Sequence, residues 1–258
     1  MVEVKQQEKL ECLRFKLEIP YLSTFRKPFS TISILSYSIP PFTTIQGLLA
    51  NALGLRRDSY YKEFHEKYKI SLKFNPNLSD GYKQIKNDKV PEKHTNMVLM
   101  KKLKRNTPSS PFIKEYINPI SYSIFILGHK NDLNELRISL DNPERPLYIG
   151  ESDTFAIVMD VKIIPNINEV MMEKITSIYF FDEKNGKIQP KNKTQIIGRV
   201  PFEFKEYEIN KKRDFYRIDK IVAVPEPSGN IELTNKVKCY KIEDDYVFFG
   251  NNSKENKR

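Results

Sequence analysis

A chain of 258 residues, of which 39% are hydrophobic and 29% charged, is long enough to bury a real core and too apolar to be intrinsically disordered. Its 43 Lys and Arg exceed its 33 Asp and Glu, and the net charge of +10 suits a polyanionic partner or, equally, a merely lysine-rich surface. Cys12 and Cys239 fit no metal or redox spacing, and neither an apolar signal core nor a bilayer-length run is present, so we expect a cytoplasmic protein that does not contact membranes.

In chain order, residues 1–165 alternate between strands and helices. Period-two alternation and β-prone runs predict strands over residues 13–19, 70–74, 120–127 and 155–164. Helical patterns lie between them, over residues 45–53, 58–68 and 131–140. The order strand, helix, strand, strand, helix, strand predicts an α+β fold of the ferredoxin-like or RRM-like kind, with helices on one face of an antiparallel sheet.

Residues 25–55 are the most informative stretch. A basic turn with Arg26 and Lys27 leads through an extended, hydroxyl-rich segment to a double proline. Proline removes a ladder donor and disfavours helix in the preceding residue, so the extended chain stops there. Thr43 or Thr44 can then cap the first helix, whose free amides near the basic turn offer a site for phosphate.

Residues 75–118 differ from the rest. Between Lys83 and Lys114 there are nine basic and two acidic residues, and we interpret this segment as a projecting β-hairpin or strand-bearing loop, the thumb. The cations at its centre are Lys101, Lys102, Lys104 and Arg105. Aromatic residues interleave with this charge, as on RNA-binding surfaces, although a solvated, self-repelling loop is the alternative.

A second irregular segment, residues 142–153 with the sequence NPERPLYIGESD, precedes the last of these strands, and we refer to it as the Gly150 loop. Gly150 permits close backbone approach, and its amide, with those of Glu151 and Ser152, can hold a phosphate. Residues 166–258 have β character throughout. We therefore predict an RRM-like domain over residues 1–165, including the thumb, and a smaller β-rich region over 166–258.

Motifs for nucleotides and metals are missing from the sequence. It contains no P-loop, dinucleotide fingerprint, zinc-protease motif, CxxC pair or EF-hand loop, so we expect no cofactor and no metal. Of the three histidines, His65 lies on a charged helix and is expected to be solvated. His94 borders the thumb cations and is the candidate acid–base residue for metal-independent RNA cleavage.

These segments together resemble a CRISPR-associated family, the small RAMP-type subunit of type I Cascade that is numbered five among the Cas proteins. The type I-B branch is the nearest. The resemblance lies in the strand at 13–19, the FRK turn at 25–27, the Ser/Thr-rich stretch at 29–41, the helix at 43–55, the DSYYKEF segment at 58–64 and the RPLYIGES element at 145–152.

The resemblance implies an RRM-like domain with a long β-hairpin thumb and a β-rich C-terminal region. It also implies a role: to hold the 5′ handle of the crRNA and to join the large subunit to the backbone RAMP subunit, with target DNA contacted indirectly. One branch, type I-C, cleaves the precursor RNA. Because histidines are sparse here, we expect a protein that is not an enzyme.

The expected RNA-binding residues follow from both the residue patterns and the resemblance. They are Arg26, Lys27, Tyr37 as a platform that stacks a base, Thr43, Thr44, Lys101, Lys102, Lys104, Arg105, Gly150 and Ser152. Two alternatives stay open. One is a metal-independent endoribonuclease for CRISPR repeat RNA that uses His94, and the other is a DNA- or tRNA-binding protein with the same fold.

Overall fold

A computed structural model of the chain describes residues 10–28, 33–75, 93–100, 110–181, 194–209, 212–226 and 229–250. The strands are β1 Glu11–Ile19, β2 Phe25–Arg26, β3 Ser33–Ile34, β4 Ser36–Tyr37, β5 Lys69–Asn75, β6 Lys93–Met100, β7 Ser110–Ile117, β8 Ile120–Gly128, β9 Ile157–Ile164, β10 Asn168–Ile175, β11 Tyr179–Phe180, β12 Thr194–Ile209, β13 Lys212–Pro225, β14 Ile231–Ile242 and β15 Asp245–Val247. The helices are α1 Phe42–Ala52, α2 Tyr61–Lys67 and α3 Lys130–Asp141. None of the helices in the described ranges is long and apolar enough to cross a membrane.

The central sheet contains the four strands predicted from the N-terminal half. Their order is β5-β8-β1-β9, and each neighbouring pair is antiparallel. Helices α1 and α2 lie in sequence between β1 and β5, and α3 lies between β8 and β9. The prediction of a mixed fold of helices and antiparallel strands is confirmed.

The two faces of this sheet are used differently. Apolar side chains alternate along β1, and those facing the helices are Leu13, Phe15, Leu17 and Ile19, all buried. The opposite face carries Cys12, Arg14 and Lys16, and β14 and β15 cover one end of it through contacts such as Ile242 and Val247 with Cys12. Burying an aliphatic or aromatic side chain stabilises a fold by about 1.5–3 kcal/mol, so the β1 alternation alone fixes the face that receives the helices.

The C-terminal region has the predicted β character in its described ranges. Strands β11, β13 and β12 form one sheet, and β10, β14 and β15 form another. The first sheet packs against α1 through Phe42, whose ring centroid lies 4.9 Å from that of Phe180 and 5.3 Å from that of Phe202. Apolar residues on both sides of residue 165 therefore belong to one core cluster.

The thumb is a β-hairpin in its described part. Strands β6 and β7 pair antiparallel, with Met97 opposite Ile113, and β7 also pairs parallel to β3. The four cations predicted at its centre lie outside the described residues; they are Lys101, Lys102, Lys104 and Arg105. The hairpin thus has the predicted secondary structure, and the placement of its cations stays a prediction.

Candidate nucleic-acid interface

The basic turn is held by a short β-ribbon. Phe25 and Arg26 of β2 pair with Tyr37 and Ser36 of β4, and the Lys27 amide donates a hydrogen bond to the Leu35 carbonyl at 2.7 Å. This register turns the Phe25 side chain into the core and leaves Arg26 exposed. The Arg26 guanidinium is therefore in solvent and open to an anion.

Tyr37 lies in the core, and the prediction that it stacks a base is wrong. Its side chain is only 2% exposed, and its hydroxyl donates a hydrogen bond to the Arg199 carbonyl at 2.6 Å. Burial also raises the pKa of this hydroxyl, and Lys27 Nζ lies 5.5 Å from the ring centroid. Tyr37 lies opposite the inward-facing Phe25 in the ribbon, so its ring also points into the core. Because its hydroxyl is bound to Arg199, the ring anchors the ribbon to the C-terminal region.

Gly150 brings its loop into direct contact with the base of this turn. It has a φ of +80°, and a Cβ at this position would lie 2.9 Å from the Thr24 carbonyl oxygen and 3.1 Å from the Phe25 ring. Two segments more than a hundred residues apart in sequence, each predicted separately to bind phosphate, therefore meet. Ser152, in the same loop, is exposed.

The root of the thumb joins the same contact region. The Glu115 carboxylate accepts a hydrogen bond from the Ser36 amide at 2.7 Å, and the Glu115 carbonyl accepts one from Thr24 Oγ1 at 2.8 Å. Lys114 Nζ lies 2.6 Å from a carboxylate oxygen of Glu151. Strand β7 thus ties the basic turn to the Gly150 loop, and Lys114 is neutralised locally rather than offered to a ligand.

The start of α1 differs from the prediction. The N-cap residue is Pro41, and neither Thr43 nor Thr44 makes a capping hydrogen bond with its side chain. The Pro41 carbonyl instead accepts hydrogen bonds from the amides of Thr44 at 2.9 Å and Ile45 at 3.1 Å. Proline already holds the extended conformation that an N-cap needs, so the helix begins one residue before the threonines, which lie half-buried in its first turn.

The end of α1 agrees with the sequence. Gly54 has a φ of +69° and is the C′ residue, the position that favours glycine. Its amide donates to the Asn51 carbonyl at 3.1 Å, and the Leu55 amide donates to the Ala50 carbonyl at 2.9 Å, which is the Schellman arrangement. The Arg145 guanidinium donates to the carbonyls of Gly54 at 2.9 Å and Leu55 at 3.0 Å.

A cleft of about 340 Å³ lies beside α1, and we refer to it as the α1 cleft. Its lining residues include Thr44, Gly47, Arg57, Asp58, Tyr60, Tyr61, Arg145, Tyr148 and Gly150. Thr44 and Gly150, predicted independently, therefore share one cleft. Arg57, Arg145 and Tyr148 were not predicted from the sequence as site residues. Their positions could have indicated it, because Arg57 follows the predicted first helix and the other two lie in the Gly150 loop.

A larger cleft, of about 510 Å³, lies on the open face of the central sheet, and its cations are paired. Arg14 and Lys162 both bind the Glu243 carboxylate, the second at 2.6 Å. Lys16 is paired with Glu18 at 2.7 Å. Each cation of this cleft thus already faces a protein carboxylate, whereas two arginines stand against one aspartate in the lining of the α1 cleft, which makes the smaller cleft the better candidate for an anionic ligand.

Histidine positions bear on the alternative of RNA cleavage. The His65 side chain is only 15% exposed, and its Nε2 lies 2.9 Å from Glu203 Oε2, so the expectation that it is solvated is wrong. It packs edge-on to Phe202, at 6.3 Å between centroids. His94 lies opposite Tyr116 in the β6–β7 pair, and its side chain is outside the described part of the chain.

Most of the chain matches one protein family. The family model described as CRISPR-associated protein (Cas_Cas5) matches residues 12–211, which are 200 of the 258 residues. The chain belongs to this CRISPR-associated family. The matched range contains the basic turn, α1, the thumb and the Gly150 loop, so the family recognised from sequence is confirmed. Its type I-B branch stays a prediction.

Solved structures with a similar chain course also come from CRISPR systems. A chain of a CRISPR RNA-guided surveillance complex is 13% identical, with 86% of this chain and 91% of that chain covered and a TM-score of 0.47. A CRISPR protein from Archaeoglobus fulgidus is 12% identical, with 94% and 100% covered and a TM-score of 0.46. A chain of a Type III-B Cmr-beta complex bound to cognate target RNA and AMPPnP is 12% identical, with 85% and 86% covered and a TM-score of 0.46. These three likenesses concern the course of the chain alone. No curated protein matches the chain.

Proposed function

We propose that this member of the Cas_Cas5 family is a non-catalytic crRNA-binding subunit of a CRISPR effector complex. Family membership supplies the CRISPR context. The observation that supports RNA binding is the convergence of the basic turn, the Gly150 loop and the thumb root around Thr24, next to the arginine-lined α1 cleft. The net charge of +10 favours a nucleic-acid partner for such a surface.

Within this region, cations and backbone have separate tasks. Arg26 is exposed and neutralises a phosphate, while Lys27 adds charge beside it. Gly150 lacks a side chain next to the turn, so an RNA backbone can approach the loop closely there. These contacts are with phosphate and sugar, and they position a strand without reading its sequence.

The more detailed proposals concern the fold class, the domain range, the subtype and the partners. The strand order β5-β8-β1-β9, with its helices between the first and second and the third and fourth strands in sequence, supports a ferredoxin-like, RRM-like domain over residues 1–165. In a type I-B Cascade in the cytoplasm, this subunit caps the 5′ handle. It joins the large subunit to the backbone RAMP subunit and contacts target DNA indirectly, through these partners.

We propose that the subunit does not cleave RNA. The contact with the Glu203 carboxylate and the Phe202 ring gives His65 a structural role between α2 and β12. The rival is a metal-independent nuclease that uses His94. Cleavage of a labelled repeat RNA in EDTA, with a 2′,3′-cyclic phosphate product and loss of activity in His94→Ala, would replace our proposal with that one.

The binding test uses charge reversal. Titrations of repeat-derived RNA, unrelated RNA and DNA are followed by filter binding at several salt concentrations. The variant Arg26→Glu/Lys27→Glu should bind repeat-derived RNA at least about tenfold more weakly, and its plot of log affinity against log salt should be shallower by about 1.4, since about 0.7 is lost with each phosphate contact on a single strand.

A matched control makes the same change in charge elsewhere. Lys130 and Lys236 are exposed and lie in α3 and β14, so Lys130→Glu/Lys236→Glu should leave the slope unchanged. Arg26→Glu alone, at an exposed site, guards against misfolding and should show about half of the slope change. Equal losses in the two double variants would refute the assignment, and equal affinity for all three nucleic acids would favour a general nucleic-acid binder.

A further inference from the structure

Two exposed aromatic side chains face each other at the Gly150 loop, one within the loop and one just after it. Tyr148 and Phe155 form an antiparallel bridge, and they are 44% and 58% exposed. The flanking hydrogen bonds run from the Ile149 amide to the Thr154 carbonyl at 3.0 Å and from the Ala156 amide to the Leu147 carbonyl at 3.1 Å. These bonds make Tyr148 and Phe155 a non-hydrogen-bonded pair, in which facing side chains come closest and project to the same side.

The rest of this hairpin is anchored, so the two rings stand on a fixed base. Ile149 and Thr154, the next residues along each arm, are buried. The Asn51 side-chain amide donates to the Pro146 carbonyl at 2.7 Å, which fastens the loop to α1. Exposed aromatic rings on an anchored hairpin lose little conformational freedom when a flat ligand stacks on them.

Positive charge lies beside the rings. Tyr148 lines the α1 cleft together with Arg57 and Arg145. The Arg57 side chain is 94% exposed and lies 3.5 Å from Asp58, whose carboxylate also accepts the Tyr61 hydroxyl at 2.7 Å. Arg145 is fixed at the end of α1 through its two backbone hydrogen bonds. Among the residues that line the cleft, two arginines stand against one aspartate.

We propose that Tyr148 and Phe155 form a stacking platform for one nucleobase of single-stranded RNA, with Arg57 and Arg145 holding the adjacent phosphates. The inference deepens the proposed function and rests on it. Adjacent aromatic faces and cations are the combination that binds single strands, because every base has a stacking face and every nucleotide a phosphate. This pair replaces Tyr37 as the aromatic platform.

The test uses the full chain and an eight-nucleotide single-stranded RNA with 2-aminopurine at one position at a time. Wild-type protein should change the 2-aminopurine fluorescence strongly at one position, where the base moves onto the platform. Tyr148→Ala/Phe155→Ala should abolish that change and weaken binding about tenfold, with the salt dependence unchanged, since stacking releases no counterions. Arg57→Gln should do the reverse: keep the fluorescence change and make the salt slope shallower by about 0.7.

Controls separate this subsite from its alternatives. Tyr148→Phe keeps the ring and should retain the fluorescence change that Tyr148→Ala/Phe155→Ala loses, and Tyr21→Ala removes another exposed tyrosine and should change nothing. If the wild-type chain does not bind RNA at all, the proposed function fails. If it binds and Tyr148→Ala/Phe155→Ala binds equally well, only the platform is refuted. Unchanged RNA binding with reduced incorporation into a co-expressed complex would assign the pair to a subunit contact instead.

Discussion

Gly150 shows how a single residue type decides the course of two segments. Its φ of +80° is a conformation that L side chains avoid, and the Thr24 carbonyl occupies the place where a Cβ would stand. Glycine is therefore needed twice over, for backbone conformation and for close approach. The sequence predicts a close approach of Gly150 to a ligand, and the structure shows its close approach to the basic turn.

Replacing this glycine should destabilise the fold measurably. Gly150→Ala adds a Cβ 2.9 Å from a backbone oxygen and forces an unfavourable φ, so we expect the free energy of unfolding to fall by about 1–3 kcal/mol. Gly198→Ala is the matched control, because a Cβ there meets nothing within 4 Å. Thermal and urea unfolding of both variants measure the difference, and equal stability of the two would contradict the close contact.

At the scale of elements, α1 connects the two halves of the chain. Its beginning is set by the double proline and its end by Gly54, both visible in the sequence. Its first residue, Phe42, packs on Phe180 and Phe202, and these two rings lie 5.1 Å apart between centroids. Lys220 Nζ lies 3.9 Å from the Phe202 centroid and covers this aromatic group. The helix is thus fixed to β11 and β12 by aromatic contacts.

A double-mutant cycle should detect this connection. Aromatic pairs contribute about 0.5–1.5 kcal/mol beyond their buried area, so Phe42→Leu and Phe202→Leu should show a coupling energy of that size in urea unfolding. Phe42→Leu combined with Tyr21→Leu is the control pair, and because Tyr21 is exposed its effects should add. Additive losses for Phe42 and Phe202 would mean that the two halves stabilise each other by other contacts.

For the whole molecule, the sequence predicts what depends on local pattern. Alternation in β1 and the apolar stripe of α1 gave the strands and helices, and glycine and proline gave their ends. Tyr37 and His65 were misplaced, because their environments come from Arg199 and Glu203, more than a hundred residues away. The α1 cleft was missed for the same reason, because Arg145 of the Gly150 loop reaches the end of α1 only after folding.

The turn between β14 and β15 makes another long-range contact that no local sequence pattern predicts. Glu243 and Asp244 connect β14 to β15, and the Glu243 carboxylate binds Lys162 at 2.6 Å and also Arg14. The hydrogen bond from Lys162, together with the charge of Arg14, holds the pKa of Glu243 below its ordinary value of 4.5. Because Glu243 ionises more easily in the folded chain, its carboxylate stabilises the fold at pH values above the ordinary pKa. This stabilisation is lost as the pH falls through the lowered pKa.

Glu243→Gln should therefore be less stable than wild type at pH 7, and the difference should shrink as the pH falls below 4.5. Because the carboxylate is partly exposed, we expect at most about 1 kcal/mol at neutral pH. Asp244→Asn removes the same charge from the next residue, for which no ion pair is found among the described residues, and it should have a smaller effect. Urea unfolding between pH 3 and pH 7 measures the stability of both variants. If Glu243→Gln is still as much less stable than wild type at pH 3 as at pH 7, the charge of this carboxylate does not hold the turn to the sheet.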